Sequence, residues 1–320
     1  MKNILILAMS CNQELFQKQE QMLREELYAK DIIDKKFDNV DFWSYTSSND
    51  GKYHVNLKLH RLEVPTDDSL YGTYEKTIAA FKLLNSLNIE YDYILRTNCS
   101  TYINVKRLKE FVDSLIDDNK IYSGGIYCSN NGTGPYEWCL YGVGNSLLLL
   151  SKFWVNVLCN NHVNYYKHLN KVYNENETYY HIDDNTIGLV INCYCLEHGI
   201  DMYGIWNNFS MPIINSIPDE SHLNLYIAIP FRQYNLDGTR DNEITYARRI
   251  HKVIKNSDVT IDPSMHTADQ CLHIIDFTRN IHSIVPREFG EHFLDIMSYP
   301  RFIKKIKFIK HYGRYRICEE

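Results

Sequence analysis

A chain of 320 residues with 44% hydrophobic and 23% charged residues has an ordinary globular composition, with length for one large core or two modest ones. A formal net charge of -6 removes the basic balance that polyanion binding needs, so no nucleic-acid partner is expected. Nine cysteines, an odd number without C-x-x-C spacing, argue against zinc sites and a complete disulfide framework, and for reduced thiols in a cytoplasmic protein.

The amino-terminal run Lys2 to Ala8 is apolar but too short to span a bilayer and lacks a signal-peptide cleavage pattern, so it reads as a first strand. Ser10, Cys11 and Asn12 close it with residues that leave strands and cap helices. From Glu14 to Tyr28, Leu15, Gln19, Met22, Leu23 and Leu27 fall near one helical face. Strand, polar turn and helix open a Rossmann-like nucleotide fold, yet without a G-x-G-x-x-G the pattern does not point to NAD or FAD. Asp41 to Tyr45 and Leu59 to Val64 read as further strands around a polar loop from Ser47 to Lys52. A helix then runs through Lys76, whose ammonium is either a solvated surface charge or a group facing a ligand. Next comes YDYILRTNCSTYIN, Tyr91 to Asn104, apolar and aromatic to Leu95 and abruptly polar after it. In open α/β sheets ligands lie past the carboxyl ends of strands, which puts Arg96, Thr97, Asn98, Cys99 and Ser100 where a ligand is expected.

This last segment resembles the central strand of the fringe and β1,3-galactosyl/N-acetylglucosaminyltransferase superfamily, written Lys-Thr-Asp-Asp-Asp-x-Phe-x-Asn. Arg96, Thr97, Tyr102 and Asn104 fit that frame, while Asn98, Cys99 and Ser100 replace the three aspartates. In the family those aspartates hold a divalent metal on the sugar-nucleotide diphosphate. Mg²⁺ and Mn²⁺ prefer carboxylate oxygen, so the resemblance implies the fold without the usual metal; a metal held through Asp183 or another carboxylate is the alternative. Asp68, Ser69, Lys76 and Thr77 match the family helix that leads into this strand, which turns Lys76 toward the nucleotide site. The resemblance also sets Met9 and Ser10 beside the nucleotide base.

Val105 to Ile116 is an amphipathic helix, and Ile121 to Cys128 a strand that breaks into the glycine-rich loop Asn130 to Pro135. Tyr136, Trp138 and Tyr141 follow, aromatic rings suited either to stacking on the C–H face of an acceptor sugar or to core packing. Tyr141 to Lys152 resembles the family segment Phe-Ala-Thr-Gly-Gly-Ala-Gly-Phe-Cys-Ile-Ser-Arg through Gly144, Ser151 and Lys152. Glycine there permits close backbone approach to a ligand, and the apolar run behind it with Phe153 to Leu158 is expected as a buried helix. HIDDNTIGLVI, His181 to Ile191, resembles the family's Asp-Asp-x-Thr-Ile-Gly at the start of a helix on the acceptor side. Inverting transfer needs a carboxylate to take the acceptor hydroxyl's proton. The resemblance assigns that role to Asp184, with Asp183 as neighbour or acceptor ligand; both also suit a plain helix cap.

Leu225 to Pro230 reads as a last strand, and Arg232 and Arg240 stand near the point where metal-using relatives place a histidine, with His222 a further candidate. A guanidinium can take over charge neutralisation from a metal. Beyond about residue 258 the resemblance stops. Helices are expected around Asp269 to Phe277 and Glu288 to Met297, and residues 301–316 form a basic amphipathic pattern that either packs on the domain or meets an anionic membrane.

The expected fold is therefore α/β, a GT-A-type mixed sheet with flanking helices over residues 1–258, followed by a basic helical extension over 259–320. The expected function is transfer, with inversion, of a hexose or N-acetylhexosamine from a nucleotide diphosphate sugar, a UDP-sugar foremost, to a glycan or lipid-linked glycan. Asp184 and Asp183 are the expected catalytic pair. Met9, Ser10, Lys76, Arg96, Asn98, Ser100, Arg232 and Arg240 are expected on the donor, and Trp138, Tyr141 and Gly144 on the acceptor. No cofactor is expected, with Mn²⁺ or Mg²⁺ as the alternative. The competing class is a catalytically inactive carbohydrate-binding protein on the same scaffold, suggested by the missing aspartates.

Overall fold

The computed structural model describes residues 2–69, 72–115, 121–124, 126–130, 138–142, 148–161, 183–198, 202–206, 223, 226–232, 240, 242–256, 272–275 and 307–308. Of Ser114, 121–124, 126–130, 138–142, Asp184, Asn185, Leu189, Asn192, Cys193, 195–197, 202–206, 272–275 and 307–308 it describes the backbone alone. The amino-terminal half alternates strands and helices: β1 (Ile4–Met9), α1 (Glu14–Glu25), α2 (Tyr28–Ile33), β2 (Val40–Ser47), β3 (His54–Asn56), β4 (Arg61–Val64), α3 (Thr73–Ser86), β5 (Tyr93–Asn98), β6 (Thr101–Ile103) and α4 (Val105–Ser114). Then follow β7 (Ile121–Gly124), β8 (Ile126–Asn130), β9 (Trp138–Gly142), β10 (Leu148–Ser151), α5 (152–161), α6 (Asp183–His198), β11 (Met202–Trp206), β12 (Ala228–Pro230), α7 (Glu243–Lys255), β13 (Leu272–Ile275) and β14 (Lys307–Phe308).

One mixed sheet carries the order β14-β13-β11-β7-β10-β5-β1-β2-β4-β3. β1 is parallel to both β2 and β5, and β2 to β4, whereas β10 runs antiparallel to β5 and β7. The chain starts at β1, steps outward through β2 to β4, then crosses back to lay β5 on the other side of β1. The strand order therefore reverses between β1 and β5, and the crevice at their carboxyl ends is where a ligand is accommodated in such sheets.

Local sequence accounts for the flanking helices. Glu14 in the first turn and Arg24 in the last complement the dipole of α1. Asn104 caps α4, its side chain accepting from the Arg107 amide at 3.4 Å. Past α3, Asn88 takes a left-handed conformation (φ 54°) that stops the helix. Ile4, Ile6, Ala8, Phe42, Tyr93 and Leu95 share one buried cluster with Met22, Tyr28, Phe111 and Ile250 from α1, α2, α4 and α7. Alternate residues such as Leu5, Leu7 and Ile94 are as fully buried, and α3 packs over β2, β4 and α6. Because both faces are covered, these strands read as continuous apolar runs.

Three readings are corrected. Leu148 to Ser151, expected within a buried helix after the glycine segment, is strand β10, held between β5 and β7. A four-residue apolar run buried on both faces carries no period that separates strand from helix. Leu272 to Ile275, expected as helical, is β13 on β11, and Lys307–Phe308 in the basic tail pairs with Ile274 and His273 rather than forming a helical turn. There, edge pairing decided the conformation of short apolar runs that suit either period. The sheet thus takes strands from both sides of residue 258. The Glu288 to Met297 segment, and 301–316 apart from β14, lie outside the described residues. Among the described residues no helix is long and apolar enough to cross a membrane.

α1 is bolted to β2 by a buried charge network. Glu20, 3% exposed, accepts from the Ser44 hydroxyl at 2.5 Å and from Arg24 Nε at 3.3 Å, and Arg24 also donates to Ser44 Oγ and the His60 carbonyl. Removing one partner of a buried ion pair strands the other in low dielectric. Glu20→Ala is expected to lose about 3–5 kcal/mol of stability, read by chemical denaturation, with Glu20→Gln losing less because it keeps hydrogen-bonding oxygen. Equal stability of Glu20→Ala and the parent chain would show the network to be solvated.

Candidate active site

The carboxyl ends of β1 and β5 are stitched together by backbone. Met9 and Asn98 are register partners, the Cys99 amide donates to the Met9 carbonyl at 3.0 Å, and the Ser10 amide donates to the Tyr45 carbonyl of β2 at 2.8 Å. Beyond β5 the chain enters β6, which pairs antiparallel with β12 from more than a hundred residues later. That pairing brings the Phe231 amide to the Ser100 carbonyl at 3.0 Å and so sets Arg232 beside the β5 end. Of the residues expected on the donor, Ser10, Lys76, Arg96 and Ser100 are buried, and Met9, Asn98, Arg232 and Arg240 are half-buried.

The four expected cations part ways. Lys76 lies beneath the β1 turn, donating to the Ser10 carbonyl at 3.1 Å and pairing with Asp68 at 2.8 Å. Arg240 grips Glu243 with both its Nε (2.5 Å) and Nη2 (2.7 Å), on a fully buried carboxylate that also accepts from Gln19, and its guanidinium rests over the Phe16 ring. Arg96 pairs with Asp183, both 3% exposed. Arg232 alone of the four has no carboxylate partner among the described residues, and its Nε is buried without a hydrogen-bond partner.

Asp68 holds this wall together. Its carboxylate accepts from the Asn12 amide at 2.7 Å and the Ser47 amide at 3.4 Å as well as from Lys76, joining the ends of β1 and β2 to α3. Burial pushes its pKa up, but the Lys76 ammonium and the two amides outweigh that and hold it below the ordinary aspartate value. Asn12 extends the network to the Ser47 carbonyl and Asn49. Sequence marks Asp68 only as a match to the family helix and Asn12 only as a residue that leaves a strand and caps a helix, with no role at the site for either. The signal that could have found it is the lysine eight residues on.

The positions that would carry metal-binding aspartates do not fit a hard divalent cation. Asn98 is neutral, Ser100 is buried with its carbonyl engaged, and the Cys99 side chain lies in the hydrophobic core, where burial drives its thiol pKa far up. Among the described residues, no three His, Cys, Asp or Glu side chains come together as a metal site.

On the other side, Asp183 opens α6. Its Oδ2 receives Arg96 and the Thr77 hydroxyl (3.2 Å), and its amide donates to Thr73 Oγ1 at 3.2 Å. Asp184 is the next residue of the helix; its side chain lies outside the described residues. α6 packs along β9, which pairs with β8 in a separate two-stranded sheet and holds Trp138 (opposite Asn130) and Tyr141 (opposite Tyr127). The structure thus brings the Asp-Asp helix to β5 and sets the aromatic strand along that helix. The side chains of Trp138 and Tyr141, and Gly144 and His222 altogether, lie outside the described residues.

No protein-family model matches this chain, and no curated protein matches it in sequence. Among solved structures, it is similar to a glycosyltransferase involved in the glycosylation of the major capsid of PBCV-1, with a TM-score of 0.42 and 11% identity over 77% of this chain and 99% of that one. It is also similar to the glycosyltransferase GlyE of Streptococcus pneumoniae TIGR4: the apo-form gives a TM-score of 0.39 and 11% identity, covering 80% of this chain and 62% of that one. A second GlyE structure gives 0.35 and 10%, covering 84% and 64%.

The Lys76–Asp68 pair has a pH signature. A depressed folded-state pKa contributes stability that is complete above the unfolded aspartate value, near pH 4, and is lost as pH falls through the folded value. Asp68→Asn is expected to weaken the fold at pH 7 by less than the ~3–5 kcal/mol of a fully enclosed pair, since the Asp68 side chain keeps 21% exposure. Its stability should also fall less steeply than wild type below pH 4. Urea titrations at pH 7, 4 and 3 check both; parallel acid limbs would show that Asp68 titrates alike in both states.

Proposed function

We propose that this chain is a GT-A-type glycosyltransferase that moves a hexose or N-acetylhexosamine, with inversion, from a nucleotide diphosphate sugar to a glycan or lipid-linked glycan, a UDP-sugar being the first choice of donor. The observation that carries this reading is the division of the cations at the β1/β5 crevice. Lys76, Arg96 and Arg240 are paired with carboxylates, and Arg232 is the one of these four cations with no carboxylate partner among the described residues, which makes it our choice for the anionic ligand. A diphosphate is the anion such a fork matches, and the carboxyl ends of strands at an order reversal are where sheets of this kind accommodate ligands.

In this mechanism the acceptor hydroxyl oxygen attacks the anomeric carbon from the face opposite the diphosphate. Asp184 takes the hydroxyl proton as the new C–O bond forms. The bond from the anomeric carbon to the diphosphate oxygen breaks, its electron pair leaves with that oxygen, and the Arg232 guanidinium offsets the charge. Asn98 and the Met9–Ser10 turn border the nucleotide, and Trp138, Tyr141 and Gly144 border the acceptor. Metal-free transfer is part of the proposal, because the residues at the usual metal position are an amide, a core thiol and a buried hydroxyl.

A screen of UDP-, GDP- and dTDP-sugars for hydrolysis and acceptor-dependent transfer tests the reading. Arg232→Ala should lower kcat by about 100- to 1000-fold, with Arg232→Lys retaining part of the loss as a point charge. Asp184→Asn should lower transfer by about 100-fold or more while nucleotide affinity stays. Turnover that a chelator abolishes and Mn²⁺ restores would defeat the metal-free mechanism. The missing aspartates equally motivate an inactive carbohydrate-binding protein, which would bind glycans in calorimetry and ignore every nucleotide.

A further inference from the structure

Asp183 stands at the start of a helix, where an acidic side chain ordinarily accepts from the amides of its own first turn. Here Oδ2 receives the Arg96 guanidinium from β5 and the Thr77 hydroxyl from α3 instead. The Asp183 amide, one of the donors that a helix start leaves unsatisfied, goes to Thr73 of α3. Thr77 Oγ1 in turn bonds Tyr45 of β2 at 2.7 Å, and burial pushes the Tyr45 phenol up to about 12, so it stays a protonated donor. β5 and α3 thus meet α6 at this one carboxylate, and β2 joins them through Thr77.

We propose that Arg96 is a positioning residue for the transfer reaction: through Asp183 it fixes the amino end of α6, and with it residue 184, against the carboxyl end of β5. The inference rests on the sugar-transfer reading and changes the part played by two residues within it. Arg96, enclosed and charge-compensated, does not touch the donor, and Asp183, buried with its Oδ2 held by Arg96 and Thr77, does not touch the acceptor. A buried ion pair contributes little net stability but tolerates one geometry, which suits a joint more than a rivet. The joint links the two halves of the site, because β5 ends at the donor side and α6, which starts at that joint, packs along β9 on the acceptor side.

Charge reversal separates positioning from contact. Arg96→Asp alone should cut transfer by about 100-fold, the penalty of a displaced catalytic group. Adding Asp183→Arg should return it to within about tenfold of wild type, with UDP affinity by calorimetry within about threefold throughout. A folded double variant that loses UDP binding would make Arg96 a donor ligand, and one that binds UDP but stays as slow as the single variant would remove the joint; either overturns the proposal. Hydrogen exchange in Asp183→Asn gives a readout free of catalysis and serves where the reversal fails to fold. Amides 184–187 should exchange at least about tenfold faster than in wild type while those of β1 and β5 are unchanged. Unchanged exchange at α6 overturns the proposal. A wild-type chain that neither binds UDP nor transfers sugar would overturn the functional reading, and the exchange arm would still decide the joint.

Discussion

A guanidinium on a strand covered on both faces has to be compensated, and Arg96 is compensated by a carboxylate from a helix far along the chain. The cost of desolvating either charge alone is several kcal/mol, so the two side chains determine where α6 can begin. The same rule operates twice more around the crevice. Lys76 draws Asp68, and through it the ends of β1 and β2, onto α3; Glu243 draws Arg240 and Gln19 together and ties α1 to α7. The walls of the site are thus built from closed ion pairs, each joining two or more elements.

The consequence for chemistry is subtraction. A crevice bordered by four cations would attract any polyanion, but three of them are spoken for within the protein. Among the described residues at that end, Met9 and Asn98, side by side on adjacent strands, are half-buried, as is Arg232, brought in by the β6–β12 pairing. A permanent, forked charge next to neutral hydrogen-bonding groups matches a diphosphate better than it matches a metal, which would demand carboxylates that the Asn98, Cys99 and Ser100 positions do not supply. The thiol at the centre of that trio faces the core and serves packing.

Much of the framework was legible beforehand. β1, β5 and α4 follow from a continuous apolar run, an apolar run that turns polar, and a 3.6-residue period, all of them local properties of backbone and side chain. The misreadings share one cause. Leu148 to Ser151 and Leu272 to Ile275 are short apolar runs whose period is uninformative, so the neighbouring strand decided what they became. Arg96, Arg232 and Arg240 were also recognisable as candidates from their place at or after strand ends, and Lys76 from the family helix it resembles.

Sequence alone therefore determined the nucleotide-type opening, the polar end of the central strand and the presence of an Asp-Asp helix start, because each is encoded within a few adjacent residues. Only the tertiary structure decided which charges cancel. Ion pairing acts through space between residues as distant in sequence as Arg96 and Asp183, and no local pattern reveals that this strand guanidinium is compensated by a helix start while Arg232 has no carboxylate partner among the described residues.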